Sequence, residues 1–335
     1  MDIVVKSFNR AFYLDRCLRS IYQYVRGDFQ IRILDDGTPP EYLARIKERY
    51  PEVLIIRSPH YEAKVKALAA HVAGTRPFDQ KIIPIGFWMD GIADATERFL
   101  LLEDDIWLTK ELDMVAIDEV MVTHQLELVK LFWYSNPRLN SGRPVPLGAG
   151  VEEIIPKIPL ATRTIFLNDF KVRSVLYRLG FFKFYNDFEL WLPLYTFQTM
   201  ASAFFRRDYW LALWTRDQTK LNEANPLRAA VKYHRTRGSR VGKTVEEYTR
   251  DSHTSSATNT YPDINLDPLV LSYILNEAWL RGDLDSYNNF PADFAPAHFK
   301  PLLDAAADER ATYIEWLRWA ERRKAQYQAL GCVVE

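Results

Sequence analysis

A chain of 335 residues, 48% apolar and 26% charged, can bury a large core and has length for about two domains, which excludes a disordered protein. Its formal net charge of −1 excludes recruitment of nucleic acid by a whole-molecule field. Two cysteines, Cys17 and Cys332, are too few for a disulfide framework or a zinc cluster and point to a reducing cytoplasm.

The opening "MDIVVKSFNR" predicts no signal peptide, and no stretch approaches the roughly 18 apolar residues needed to span a bilayer. "DIVV" (2–5) predicts a strand. The helix after it carries Leu14, Leu18, Ile21 and Val25 on one face, with Asn9 as candidate cap. "QIRIL" (30–34) predicts the next strand, closed by Asp35-Asp36-Gly37. Thr38-Pro39-Pro40-Glu41 has the form of a capping box with proline in the first turn of a second helix. "VLIIRS" (53–58) follows as a strand. A helix from about Glu62 then places Val65, Leu68 and Val72 on one face, with Gly74 as its stop, and "RFLLL" (98–102) is a fourth strand. This alternation implies a parallel sheet covered on both faces, in which ligands bind beyond the carboxyl ends of the strands. Three polar clusters fall at such ends: Lys6 to Arg10, Asp35-Asp36-Gly37, and Glu103-Asp104-Asp105.

The middle of the chain is rich in Trp, Phe and Tyr, which suit either a core or a ring-shaped ligand. Residues 137–160 carry five prolines and read as loop. The run 228–243 holds six Lys or Arg and no acid; it could hold a phosphate or an anionic membrane surface, or be a solvated face. A polar Ser/Thr-rich loop (250–263) carries His253. From about Asp304 an amphipathic helix contains Ile314, Trp316 and Leu317; Trp316, Trp319 and Arg322-Arg323 raise peripheral membrane docking beside packing on its own domain.

Adjacent carboxylates raise one another's pKa unless positive charge sits between them. A divalent cation resolves this: Mg²⁺ or Mn²⁺ takes one or two carboxylates plus substrate phosphates, and stabilises a departing diphosphate. The alternative for Glu103 to Asp105 is an exposed loop or helix start. Asp-Asp-Gly after a strand is compatible with plain turn chemistry, or with a carboxylate that accepts hydrogen bonds from a base or ribose, Gly37 allowing close approach.

"IVVKSFNRAFYLDRCLRSIYQY", "IRILDDGTPPEYLARI" and "FLLLEDDIWLT" resemble, in order and spacing, the successive motifs of family-2-type glycosyltransferases with the GT-A fold. A weaker similarity lies in "LYTFQTMASAFFRRDYWLALW" (194–214), set against the family's acceptor-side segment. The resemblance implies a GT-A type, Rossmann-like, mostly parallel α/β sheet with flanking helices and a helical C-terminal extension. It divides the chain into a nucleotide-sugar half (1–110), an acceptor half (111–225) and a basic and helical region (226–335). It places Phe8, Asn9, Arg10, Asp35, Asp36 and Asp104 at the nucleotide, with Asp105 as metal ligand beside Glu103 and, from the late loop, His253. Lys64 and Lys66, opening the third helix, would meet phosphate. The usual Asp-x-Asp pattern is replaced by Glu-Asp-Asp, and Lys6 and Phe8 replace a commoner small residue and Tyr. The expected Glu-Asp base after the acceptor segment is absent; Glu223, Asp217 and Asp187 are the candidates. The implied protein is a Mn²⁺- or Mg²⁺-dependent transferase acting on a nucleotide-sugar donor and a glycan or lipid-linked glycan acceptor, in bacterial surface polysaccharide synthesis, in the cytoplasm or at the inner membrane surface. A catalytically silent nucleotide- or glycan-binding module is the non-enzyme alternative. A sugar-nucleotide synthase would need the Gly-rich loop that "KSFNRAFY" lacks.

Overall fold

The computed structural model describes residues 1–169, 175, 179–180, 188–256 and 259–334. Nine strands build the central sheet: β1 (Asp2–Ser7), β2 (Gln30–Asp35), β3 (Leu54–Arg57), β4 (Arg98–Glu103), β5 (Leu126–Lys130), β6 (Gly142–Gly148), β7 (Val151–Pro156), β8 (Ala203–Arg206) and β9 (Arg240–Thr244). Their order is β3-β2-β1-β4-β8-β5-β9-β7-β6. β3, β2, β1 and β4 are mutually parallel, β8 runs antiparallel between β4 and β5, and β9 is parallel to β5. β1 is wholly buried, as a central parallel strand covered on both faces must be, which is why it reads as a continuous apolar run. The fold is thus mixed α/β with a mostly parallel sheet, flanking helices and a helical C-terminal region, as expected.

The helices α1 (Ala11–Tyr24), α2 (Pro40–Arg49), α3 (Tyr61–Val72), α4 (Ile85–Ala93) and α5 (Met114–His124) lie in the first half. Then come α6 (Arg207–Leu213), α7 (Ala224–Arg237), α8 (Pro268–Arg281), α9 (Pro296–Ala306) and α10 (Tyr313–Ala329). One apolar core runs from Ile3 on β1 through α1 to Leu275 on α8 and Trp316 on α10. A second, on the opposite face, joins Val4 and Leu101 to Trp210 on α6 and Val231 on α7.

Several sequence expectations are corrected. Asn9 does not cap α1; it sits at φ 53°, and its carbonyl accepts from the Asn276 side chain at 3.0 Å. Thr38 is no capping box: α2 begins behind Pro39 without a side-chain cap, because the Thr38 hydroxyl donates to Asp35 instead. Residues 142–156 are not loop but the β6–β7 hairpin. Pro144 and Pro146 are tolerated because β6 is the outermost strand, where alternate N–H groups have no partner to lose. The polar loop at 252–256 is buried rather than exposed, and Trp316 and Trp319 are fully buried, their indoles donating to the carbonyls of Thr254 (2.8 Å) and Asn259 (3.0 Å). The two tryptophans therefore do not face a membrane. No helix among the described residues is long and apolar enough to cross one. The basic run is compensated from elsewhere: Arg235 pairs with Asp169, Arg240 with Glu153 and Lys243 with Glu152.

Candidate functional site

The carboxyl ends of β2, β1 and β4 lie side by side, so three loops distant in sequence meet. At the β2 end the two aspartates separate by role. Asp35 is buried and accepts from the Gly37 and Thr38 amides (3.0 and 2.9 Å) and the Thr38 hydroxyl (2.6 Å), which is turn chemistry. Burial pushes its pKa up to about 6 against those bonds. Asp36 points the other way, receiving Ser58 at 2.6 Å and the ammonium of Lys64. Lys64, from the first turn of α3, also donates to the Ile82 carbonyl at 2.6 Å. The expected phosphate lysine Lys66 lies exposed on the same helix. Gly37, at φ +135°, lets the loop pass over α3: a Cβ there would come within 2.8 Å of the Lys64 Cβ and 3.2 Å of the Phe8 ring.

At the β1 end the Phe8 amide donates to Asp104 Oδ2 at 3.0 Å and the Asn9 amide to the Thr38 hydroxyl at 2.9 Å, tying β1 to both neighbours. Arg10 spans the acids beyond β4, with Nη2 on Asp104 Oδ1 and Nη1 on Asp105 Oδ2, both at 2.5 Å. Lys6 pairs with Glu103 Oε1 at 2.7 Å, donates to the Met200 carbonyl at 3.2 Å, and lies 4.7 Å from the Trp88 ring centre. Side-chain cations thus balance two of the three charges in the triple acid. Burial alone would lower the Arg10 pKa, but Asp104 and Asp105 outweigh it and raise it. Burial pushes Asp104 up to about 7, against the pull of Arg10 and with repulsion from Asp105. Glu103 is only partly buried; burial pushes its pKa up, but Lys6 and Arg10 outweigh that and hold it below the usual range.

Two further segments close over these acids. The Ser252 amide donates to the Asp105 carbonyl at 3.1 Å, bringing Asp251 and His253 alongside. Burial pushes Asp251 up to about 8, and the Tyr134 hydroxyl donates to it. His253 is buried, with Nδ1 3.7 Å from Asp251 and Nε2 without a partner. Burial, with help from Arg323 and Lys324, holds its pKa down to about 3. From the other side Glu223, the residue preceding α7, accepts from the Tyr195 hydroxyl. Burial raises its pKa, and it lies close enough to Glu103 and Lys6 for their charges to act on it. Of the other base candidates, Asp217 is exposed in the turn after α6 and Asp187 lies outside the described residues.

The oxygens present suit a divalent cation completed by substrate. Asp104 has both oxygens committed, to Arg10 and to the Phe8 amide. Glu103 and Asp105 each hold their cation through one oxygen, and among the described residues the second accepts no hydrogen bond. No group of three or more His, Cys, Asp or Glu among the described residues could hold a metal unaided. Two carboxylates with phosphates as the remaining ligands is the arrangement Mg²⁺ commonly takes. Sequence reasoning put Lys6 in the polar cluster after β1 without giving it a partner, and missed Trp88 and Tyr195. Lys6 alone carried a signal, being a buried-strand lysine at a carboxyl end.

No family model matches the chain, and no curated protein matches its sequence. Among solved structures it is similar to residues 1–349 of Staphylococcus aureus TarS, at 11% identity over 95% of this chain and 70% of that one, with a TM-score of 0.43. Against a longer TarS chain it spans 42% of the partner's length. It is similar to the Pyrobaculum calidifontis mannosyltransferase PcManGT in complex with GDP-mannose and Mn²⁺, at 13% identity over 98% of this chain and 74% of that one, with a TM-score of 0.36. It is also similar to glucosyl-3-phosphoglycerate synthase from Mycobacterium tuberculosis in complex with Mn²⁺, UDP and phosphoglyceric acid, at 9% identity over 82% of this chain and 77% of that one, with a TM-score of 0.39.

Proposed function

We propose that the protein is a divalent-metal-assisted glycosyltransferase that moves a sugar from a nucleotide-diphosphate donor to a hydroxyl of a glycan or lipid-linked glycan. The observation that carries this reading is the meeting, at three adjacent strand ends, of the Asp36–Lys64 pair with Arg10 bonded to both Asp104 and Asp105, Glu223 lying near enough for the charges of Glu103 and Lys6 to act on it. Phe8, Asp36 and Lys64 form the nucleotide end. Glu103 and Asp105 would hold Mn²⁺ or Mg²⁺, which when bound supplies positive charge to the departing diphosphate. Lys6 and Arg10 fix those two carboxylates in place.

Glu223 is the proton acceptor. As the acceptor hydroxyl oxygen forms its bond to the anomeric carbon, its proton passes to the Glu223 carboxylate, and the bond to the diphosphate breaks with its electron pair on oxygen. Burial keeps the Glu223 pKa above the ordinary range, which strengthens it as a base. The test is calorimetry with UDP, GDP, dTDP and CMP, with and without Mn²⁺, followed by donor hydrolysis with the nucleotide that binds. One nucleotide is expected to bind in a Mn²⁺-dependent manner, and Asp105→Ala is expected to lose that dependence and donor hydrolysis while staying folded. Absence of nucleotide binding, or full hydrolysis by Asp105→Ala, overturns the proposal.

A further inference from the structure

The C-terminal helix α10 lies over the acidic end of the site rather than on a remote face. Its Tyr327 ring packs edge-on against His253 at 4.8 Å and beside Tyr134 at 5.2 Å. His253 and the Tyr134 partner Asp251 belong to the segment whose Ser252 amide is bonded to Asp105. One turn earlier on the helix, Arg323 lies 5.7 Å from the Tyr327 ring centre and 5.6 Å from that of Trp319. Its neighbour Arg322 is spent on Asp263 at the surface. Arg323 is not: its guanidinium enters no ion pair among the described residues, and its Nε is buried without a hydrogen-bond partner. A half-buried guanidinium flanked by two rings and left without an ion pair among the described residues is poised for an anion that arrives from outside the chain.

Resting on the function proposed above, we infer that Arg323 binds the diphosphate of the donor, so that the C-terminal helix is part of the donor site. Arg323 lies beside Tyr327, which packs on His253, and the adjacent Ser252 is bonded to the Asp105 carbonyl, so the guanidinium sits on the side of the residues assigned to the metal. Lys6 and Arg10 are bonded to carboxylates; Arg323 keeps its donors for the ligand. A bidentate guanidinium–phosphate contact would neutralise charge on the leaving group, and the aromatic flanks restrict the side chain before the ligand comes.

The experiment compares wild type, Arg323→Gln and Arg323→Lys by calorimetry with UDP, GDP and dTDP against UMP, GMP and dTMP, in Mn²⁺. The inference expects Arg323→Gln to weaken the diphosphate that binds by roughly 10- to 100-fold. The matching monophosphate should change by no more than about two-fold, and Arg323→Lys should recover part of the loss. Equal weakening of mono- and diphosphate, with a lowered melting temperature, would make Arg323 a structural residue and overturn the inference. So would unchanged diphosphate affinity. A wild-type protein that binds none of these six nucleotides refutes the proposed nucleotide-diphosphate donor itself, and the inference falls with it.

Discussion

Removing Arg10 probes how the triple acid is held together. Its guanidinium is the only group bonded to both Asp104 and Asp105 among the described residues, and all three side chains are nearly excluded from water. Deleting one partner of a buried ion pair costs about 3–5 kcal/mol, because the other charge is left uncompensated. For 335 residues, an unfolding entropy of about 2.1 cal/mol/K per residue gives roughly 0.7 kcal/mol/K, so Arg10→Ala should lower the melting temperature by about 4–7 °C at pH 8. The loss must also depend on pH. Asp104 titrates at about 7 even with Arg10 present, because burial dominates. Without the guanidinium its folded pKa rises further, while the unfolded value stays near that of an ordinary aspartate. The folded variant then binds more protons than the unfolded chain, so its stability increases as pH falls. Wild type gains on acidification for the same reason but less, so differential scanning fluorimetry of both proteins at pH 8 and pH 5.5 should show the gap narrowing at the lower pH. A gap that is constant or widens on acidification refutes the assignment of Arg10 as counter-ion to these two carboxylates.

Glu223→Gln should lower kcat by about 10²- to 10⁴-fold while the donor KM stays within a few-fold. Because the base must be ionised, wild-type kcat should fall on acidification through a pKa above the ordinary glutamate range, and Tyr195→Phe, which removes a bond that lowers that pKa, should move the fall to higher pH. An acid limb unmoved by Tyr195→Phe would detach the pair from catalysis. Trp316→Ala should cost about 3–5 kcal/mol in urea unfolding, since the side chain is fully buried and donates to Thr254, whereas the exposed Ile314→Ala should stay within about 0.5 kcal/mol. Comparable losses would contradict the placement of α10. Gly37→Ala should weaken nucleotide binding, since its Cβ would drive against Lys64 and loosen Asp36; wild-type affinity in that variant would show the loop to be tolerant.

The first hundred residues were legible because a parallel sheet covered on both faces leaves two plain signals: continuous apolar strands, and polar residues gathered at their carboxyl ends. β1, β2 and β4 were placed to within a residue or two, and the acids after them meet as the strand order requires. What was illegible shares one physical cause. A residue whose partner lies far along the chain carries no local mark of that partner. "DSHTSSATN" has the composition of a solvated loop, yet Ser252 and Thr254 are buried, their hydroxyls bonded to Asp293, 41 and 39 residues on, and the Thr254 carbonyl bonded to Trp316, 62 residues on. The same blindness hid the surroundings of adjacent arginines: nothing in "ERRKA" separates Arg322, paired with Asp263 at the surface, from Arg323, flanked by Trp319 and Tyr327.

The division of Glu103, Asp104 and Asp105 is the step that joins this geometry to chemistry. Burial drives carboxylates at a strand end toward protonation, as the raised Asp104 shows, with repulsion between neighbours adding to it, and a protonated acid is a poor metal ligand. Committing the middle acid wholly to Arg10 and the Phe8 amide gives its charge to the scaffold, while its neighbours keep one free oxygen each. Lys6 keeps Glu103 ionised through Oε1 without occupying Oε2. An arrangement meant only to neutralise acids would saturate every oxygen. The two left over are the oxygens that the proposed cation would take.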